Sequence, residues 1–124
     1  MTCAFPTISV RKAVGDRVEY DLVCPADWPV EGTGLTGFEA RGALQRRPED
    51  TEALLDLTDS AEPISITDQT ITVVLTGDTA GDRVSGETRR YGAGDFVVGV
   101  RVSDGTTVIA VVQINLRLED FPSP

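Results

Sequence analysis

The chain has 124 residues, of which 40% are hydrophobic and 25% charged, and its formal net charge is −9. A chain of this length can bury roughly two thirds of its unfolded surface, so one domain can form without a metal or disulfide. The acidity opposes binding to a phosphate backbone, which argues against a nucleic-acid-binding protein. The complete absence of histidine removes the usual general base near neutral pH, which argues against an enzyme.

The first half of the chain contains four segments of alternating apolar and polar residues, at 7–12, 17–23, 35–47 and 53–58. This period of two predicts half-buried β-strands, and the last two segments are expected to pair as a hairpin. Residues 24–37 contain two prolines and three glycines, so they form a long connection. We expect Trp28, within it, to close one end of the core, with ligand stacking as the alternative.

The second half contains two predicted hairpins. In residues 64–75, a two-residue turn of Asp68 and Gln69 would pair Ile66 with Ile71 and Ile64 with Val73. Residues 77–94 are rich in glycine and charge, which predicts a long crossing with at most one helical turn.

Residues 95–118 carry the strongest apolar signal, because even-numbered positions are apolar from Phe96 to Val102 and again from Val108 to Leu118. A three-residue loop, Ser103 to Gly105, would pair Val102 with Thr106 and Val100 with Val108, and Gly105 would form a G1 bulge in the left-handed region. This register brings the two even sets onto one buried face.

The odd-numbered face of the same hairpin would then place Val97 opposite Val111, with Ile109 alongside. An apolar patch on a charged domain tends to mark a contact surface, so these three residues are predicted to contact a partner. The alternative is that a second sheet covers them.

Two arginine pairs, Arg46-Arg47 and Arg89-Arg90, lie in or beside predicted loops. They are either solvated and paired with neighbours such as Glu49 or Glu87, or they dock acidic surface of a partner.

Seven or eight short strands separated by turn signals predict an all-β fold, an antiparallel immunoglobulin-like β-sandwich formed by a single domain over residues 1–124. Trp28 follows both Cys3 and Cys24, so the Cys, Trp, Cys order of antibody domains is missing. Both cysteines are expected to be unbridged thiols.

Acidic residues cluster at 49–52, at 56–62 and at 78–82, but none of these clusters matches a known calcium loop, and solvated charges explain them. We therefore predict no catalytic residue, no metal and no cofactor. The first ten residues do not read as a signal peptide, and no apolar run reaches the ~20 residues of a membrane span. We expect synthesis as a soluble cytoplasmic protein without membrane contact.

Several motifs occur in an order that resembles one family. They are Gly15-Asp16-Arg17, LTGFEAR at 35–41, the ISIT and ITVVL strands, GDFVVGV at 94–100, Asp104-Gly105 and Ile114-Asn115-Leu116. This order resembles a small immunoglobulin-like, virion-associated module of tailed bacteriophages, over nearly the whole chain and without a catalytic signature. Two features depart from the family: the strand after Gly94 lacks the expected tyrosine and acidic pair, and the 77–94 crossing is long.

The resemblance implies a structural part of a particle, at the tail tip, at the baseplate or on the capsid surface. We therefore expect a non-enzymatic structural or adaptor protein, made in the host cytoplasm and carried in the virion. It would dock onto other virion proteins, as several copies or as a homo-oligomer, and bind neither nucleic acid nor membrane. The alternative is a carbohydrate-binding module that recognises host glycan with Trp28, Tyr20 or Tyr91. A small hydrolase, the third possibility, would need a base that the sequence does not offer.

Overall fold

The computed structural model describes residues 7–47, 49, 52–58, 62–77 and 86–120. In these residues the chain forms eight strands and one short helix. They are β1 (Ile8–Ala13), β2 (Val18–Val23), β3 (Glu39–Gln45), β4 (Leu55–Asp56), β5 (Ser65–Thr67), β6 (Thr70–Leu75), α1 (Glu87–Tyr91), β7 (Gly94–Ser103) and β8 (Val108–Glu119). The predicted strands of both halves of the chain are therefore confirmed, and the helix is the single turn expected in the 77–94 crossing.

The strands form two sheets, one of five strands in the order β1-β8-β7-β3-β4 and one of three in the order β2-β6-β5. Every pairing is antiparallel except that of β1 with β8, which is parallel. Because β1 joins the larger sheet and β2 the smaller one, the chain changes sheets between Ala13 and Val18. This arrangement is the predicted immunoglobulin-like β-sandwich.

The core lies between the two sheets and is built from the inward positions of the strands. Trp28 is 1% exposed and belongs to this core, which confirms that it fills the interior. Cys24 is also buried there, whereas Cys3 lies outside the described residues, so the state of the two thiols stays a prediction.

The connection between β2 and β3 is held by one side chain from the β5–β6 turn. The side-chain amide nitrogen of Gln69 donates to the carbonyl oxygens of Pro25 and Trp28, at 2.7 and 2.8 Å. Its side-chain oxygen accepts a hydrogen bond from the backbone N–H of Leu35 at 2.7 Å. The carbonyl oxygen of Pro25 also accepts the backbone N–H of Trp28 at 3.1 Å, so Gln69 matters most for the carbonyl oxygen of Trp28 and the N–H of Leu35.

The β5–β6 hairpin has the predicted two-residue turn. Ile66 pairs with Ile71, and Asp68 adopts a positive φ of 54°, a conformation that Asp tolerates better than most residues. The hairpin of β3 and β4 is also present, although β4 is only two residues long.

The β7–β8 hairpin forms as predicted, but its predicted register is wrong. Ser103 pairs with Val108, so four residues connect the strands instead of three. Val102 then pairs with Ile109, and Arg101 with Ala110. The pairing is irregular at the next step, where Val100 faces Val112 and Val111 is left as an extra residue in β8.

This bulge at Val111 changes which side chains face the core. Directly paired residues share a face of the sheet, so Ile109 points inward with the fully buried Val102, while Val108 and Ala110 point outward. Val111 is 5% exposed and belongs to the core, whereas Val108 is 64% exposed. The predicted outer patch of Val97, Ile109 and Val111 is therefore wrong for Ile109 and Val111, because one extra residue inverts the alternation at this end of β8.

The turn between β7 and β8 is stabilised by Asp104. Its carboxylate accepts hydrogen bonds from the backbone N–H groups of Thr106 and Thr107, at 2.9 and 2.7 Å. Gly105 has a φ of +95°, so the predicted left-handed glycine is confirmed, although the bulge lies at Val111 and not at the turn.

The inverted alternation predicts that two valines of β8 contribute very differently to the free energy of unfolding. Val111→Ala should lower the free energy of unfolding by about 2 kcal/mol, because it removes buried methyl groups and leaves a cavity. The matched change Val108→Ala, at an exposed position, should change it by less than about 0.5 kcal/mol. Urea denaturation measures both, and equal effects would contradict the bulged register.

The conformation of the turn predicts that substitutions at two glycines of the same hairpin differ in their effect on stability. Gly105→Val should cost about 1 kcal/mol or more, because a β-branched residue is strained at positive φ. Gly99→Ala is the control, since a β-carbon there meets no atom within 4 Å and the backbone is not left-handed. Thermal denaturation of both variants checks this, and a Gly105→Val protein as stable as the parent would disprove the strain.

Candidate functional site

The outward side of the five-stranded sheet carries most of the residues that could contact a partner. Its central positions are small or polar, since Ala43, Gly99 and Gln113 lie side by side on β3, β7 and β8. Two open grooves cross this face. We call them the first groove, about 430 Å³ and lined by Arg41 and Arg101 among others, and the second groove, about 530 Å³ and lined by Arg11, Arg46, Val97 and Arg117 among others.

The second groove brings together two of the residues that the sequence marked for partner contact, Val97 and Arg46. Val97 pairs with Gln45 on β3 and with Asn115 on β8, and it is 9% exposed although it lies outside the core cluster. It offers little apolar area to a partner, because it is already covered on the outer face. Val111 lies in the core and Ile109 packs against it, so neither lines the second groove.

Arg46 and Arg90 converge on Tyr91 at one end of the sandwich. The Arg46 guanidinium lies 4.4 Å from the centre of the Phe96 ring and donates to the carbonyl oxygen of Tyr91 at 3.4 Å. Arg90 lies over the Tyr91 ring at 5.4 Å, and the Tyr91 hydroxyl donates to the carbonyl oxygen of Leu54 at 2.8 Å. Contacts of this kind orient both cations, so Arg46 and Arg90 form one fixed corner of the domain.

The other two predicted arginines are the chain neighbours of these two. Arg47 is exposed just after the end of β3. Arg89 lies against Gly15 in the turn between β1 and β2, where a β-carbon would come within 2.6 Å of its guanidinium nitrogen. Glu87, a possible neighbour of the second arginine pair, accepts the backbone N–H of Thr76 at 3.0 Å. The contacts of Arg46, Arg89 and Arg90 therefore differ from one another.

Beside the second groove, two arginines share one carboxylate. Arg11 and Arg117 both donate to Glu119, the latter at 3.1 Å, and Arg117 also lies 3.3 Å from Asp95. The pKa of the Glu119 carboxyl is held below its usual 4.5, first by the hydrogen bond from Arg11, and desolvation opposes this shift. These cations are thus neutralised within the chain.

The first groove contains cations that sequence analysis did not identify. Arg41 on β3 and Arg101 on β7 are directly opposite each other, both exposed on the outer face. Each stands at an outward position of an alternating strand, a signal that the sequence does carry. Their juxtaposition depends on the pairing of β3 with β7, which are far apart in sequence, and no local pattern specifies it.

No metal site is found in the described part of the chain, where no three His, Cys, Asp or Glu residues are grouped closely enough to hold an ion. Asp50, Asp59, Asp78 and Asp82, which belong to the acidic clusters considered above, lie outside the described residues. Of the helices described, none is long and apolar enough to cross a membrane.

No family model matches the chain, and no curated protein matches it. Among solved structures, the chain is similar to the NK cell receptor Nkp44, a triggering partner in natural cytotoxicity. The two are 10% identical, the match covers 93% of this chain and 100% of that chain, and the TM-score is 0.43. This similarity transfers no residue role.

The lowered pKa of Glu119 predicts a pH dependence. A folded-state pKa below the unfolded value stabilises the fold above about pH 4.5, and this stabilisation is lost as the pH falls through the folded-state pKa. The difference in melting temperature between the parent and Glu119→Gln should therefore shrink as the pH falls from neutral to acid. Thermal denaturation across this range measures it, with Glu39→Gln as the control. A difference that stays constant with pH would contradict the ion-pair assignment.

Proposed function

We propose that this protein is a non-enzymatic adaptor domain of a tailed-phage virion, which docks onto other virion proteins through the outer face of its five-stranded sheet and is present in several copies. The order of sequence motifs supports the virion setting. The observation that carries the docking surface is the direct opposition of two exposed arginines, Arg41 and Arg101, on the outer face of a chain with net charge −9.

The chemistry of the grooves favours binding over catalysis. Asp56 is the carboxylate that lines the first groove, and its pKa is lowered, first by the hydrogen bond from the Thr58 hydroxyl, then by the Thr58 backbone N–H, with a further contribution from the charge of Arg41. A general base needs a pKa near the working pH, so a carboxylate shifted in this direction is a poor one. The chain has no histidine to replace it.

The carbohydrate-binding alternative needs exposed aromatic rings. Trp28 is 1% exposed, so it cannot stack on a sugar in the folded state. Tyr20 and Tyr91 are half-buried and pack against the core, and Tyr91 also carries Arg90 on its ring. The burial of these three aromatic residues favours protein docking over glycan binding.

Particle association tests the proposed function directly. An antibody raised against the purified domain should detect the chain in virions banded on a density gradient, and gold-labelled antibody should mark a repeated position on intact particles in the electron microscope. A non-structural phage protein of similar abundance in the lysate serves as the control. Presence of the chain in infected-cell lysate together with its absence from banded particles would contradict a virion role.

A further inference from the structure

The first groove places two arginines directly opposite each other, and the repulsion between their like charges costs free energy. Arg41 and Arg101 face each other across two hydrogen-bonded antiparallel strands, where side chains are about 5 Å apart at their β-carbons and like charges repel. The neighbouring pair on the same face is Ala43 and Gly99, and a β-carbon added to Gly99 would meet no atom within 4 Å. The two cations therefore lie beside an open part of the sheet surface, where the side chains are small.

These two arginines differ from Arg11 and Arg117 on the same face. Arg11 and Arg117 form ion pairs with Glu119, and Arg117 also with Asp95. Neither Arg41 nor Arg101 has an ion pair within 4.0 Å with a carboxylate of the described residues. Asp56 lines the same groove, and the charge of Arg41 helps to lower its pKa, but the hydrogen bonds of its carboxylate come from the N–H and the hydroxyl of Thr58, at 3.0 and 2.7 Å.

The walls of the groove indicate what kind of group would occupy it. Val108, 64% exposed because of the bulge, lines the end nearest the β7–β8 turn, together with Ser103. Two guanidinium groups beside an exposed apolar side chain are complementary to a carboxylate that has an apolar neighbour. A phosphate backbone fits less well, because its many charges are repelled by a domain of net charge −9, whereas one carboxylate on a short segment meets mainly the local cations.

We propose that Arg41 and Arg101 together bind a carboxylate side chain of an acidic segment in a partner protein, and that Val108 packs against an apolar residue of that segment. This proposal rests on the proposed function and specifies the chemistry of its docking surface. Arginine suits the role because its planar fork of N–H donors can engage a carboxylate through two parallel hydrogen bonds.

The free domain gives the first test. Arg101→Gln should raise the melting temperature by about 1 to 5 °C at low salt, because it relieves repulsion that no bound anion offsets. The gain should shrink as salt screens the repulsion. Arg117→Gln, which removes ion pairs, should give no gain. An unchanged or lower melting temperature for Arg101→Gln would overturn the idea of an unrelieved cation pair.

Binding is tested with a synthetic peptide of alternating glutamate and valine, blocked at both ends, titrated into isotope-labelled protein and followed by NMR. The amide signals of Ala43, Gly99 and Ser103 should shift. The double variant Arg41→Gln/Arg101→Gln should bind at least ~10-fold more weakly, since it loses two charge-assisted contacts. The matched double variant Arg11→Gln/Arg117→Gln, which carries the same loss of charge on the same face, should bind as the parent does.

Several results would overturn the proposal: no shift in the parent, equal weakening in the two double variants, or acetate binding as tightly as the peptide at equal carboxylate concentration. Displacement of the peptide by inorganic phosphate or by a short DNA duplex at lower concentration would also overturn it, since either result would point to a phosphate site.

A phage that carries the Arg41→Gln/Arg101→Gln change separates this proposal from the proposed function. Loss of the chain from particles, with the control double variant retained, supports both. Retention of the Arg41→Gln/Arg101→Gln chain overturns the carboxylate site and leaves the virion role standing. Absence of the parent chain from particles contradicts the virion role itself, and the peptide titration then decides the carboxylate site alone.

Discussion

The extra residue at Val111 determines how the last hairpin serves both the core and the surface. The four-residue turn aligns Val102 with Ile109, so an unbulged hairpin of this turn length would place the apolar even positions of β8 on the outer face from end to end. The bulge shifts the register by one residue and returns the even-numbered positions from 112 to 118 to the core. Turn length and bulge compensate each other, so neither could change alone without exposing most of the apolar residues of β8.

The same bulge shapes the first groove. Because the alternation is inverted between the turn and Val111, Val108 and Ala110 face outward, where the small Ala110 lies beside Arg101 and Val108 stands next to Ser103. With the predicted three-residue loop, Val108 would have been buried opposite Val100 and the groove would have lost its apolar wall. A local irregularity in the backbone therefore positions an apolar side chain close to two cations, which gives the surface both components of its recognition chemistry.

Local pattern was sufficient to predict the features that depend on neighbours in sequence. The turn of Asp68 and Gln69 fixes the Ile66–Ile71 register over a few residues, and the burial of Trp28 follows from its size in a connection that packs against the sandwich. The opposition of Arg41 and Arg101 could not be predicted, because it depends on the pairing of β3 with β7 across the 48 residues between Gln45 and Gly94. The bulge at Val111 could not be predicted for a different reason: residues 108–112 are all apolar, so an extra residue there leaves no mark in the hydrophobic pattern.

A domain with net charge −9 can present a cationic site, because the repulsion from its acidic residues and the attraction to a local pair of arginines act over different distances. At about 0.1 M salt, interactions between exposed charges fade beyond roughly 10 Å, so much of the repulsion that an approaching carboxylate meets from distant acidic residues is screened. The guanidinium groups of Arg41 and Arg101 would act on it at hydrogen-bond distance, where screening matters much less. The Arg11 and Arg117 network at the other end of the sheet is already neutralised by Glu119 and Asp95. Arg41 and Arg101 therefore retain a local attraction for anions that is weakened at Arg11 and Arg117, and net charge is a poor guide to what the first groove binds.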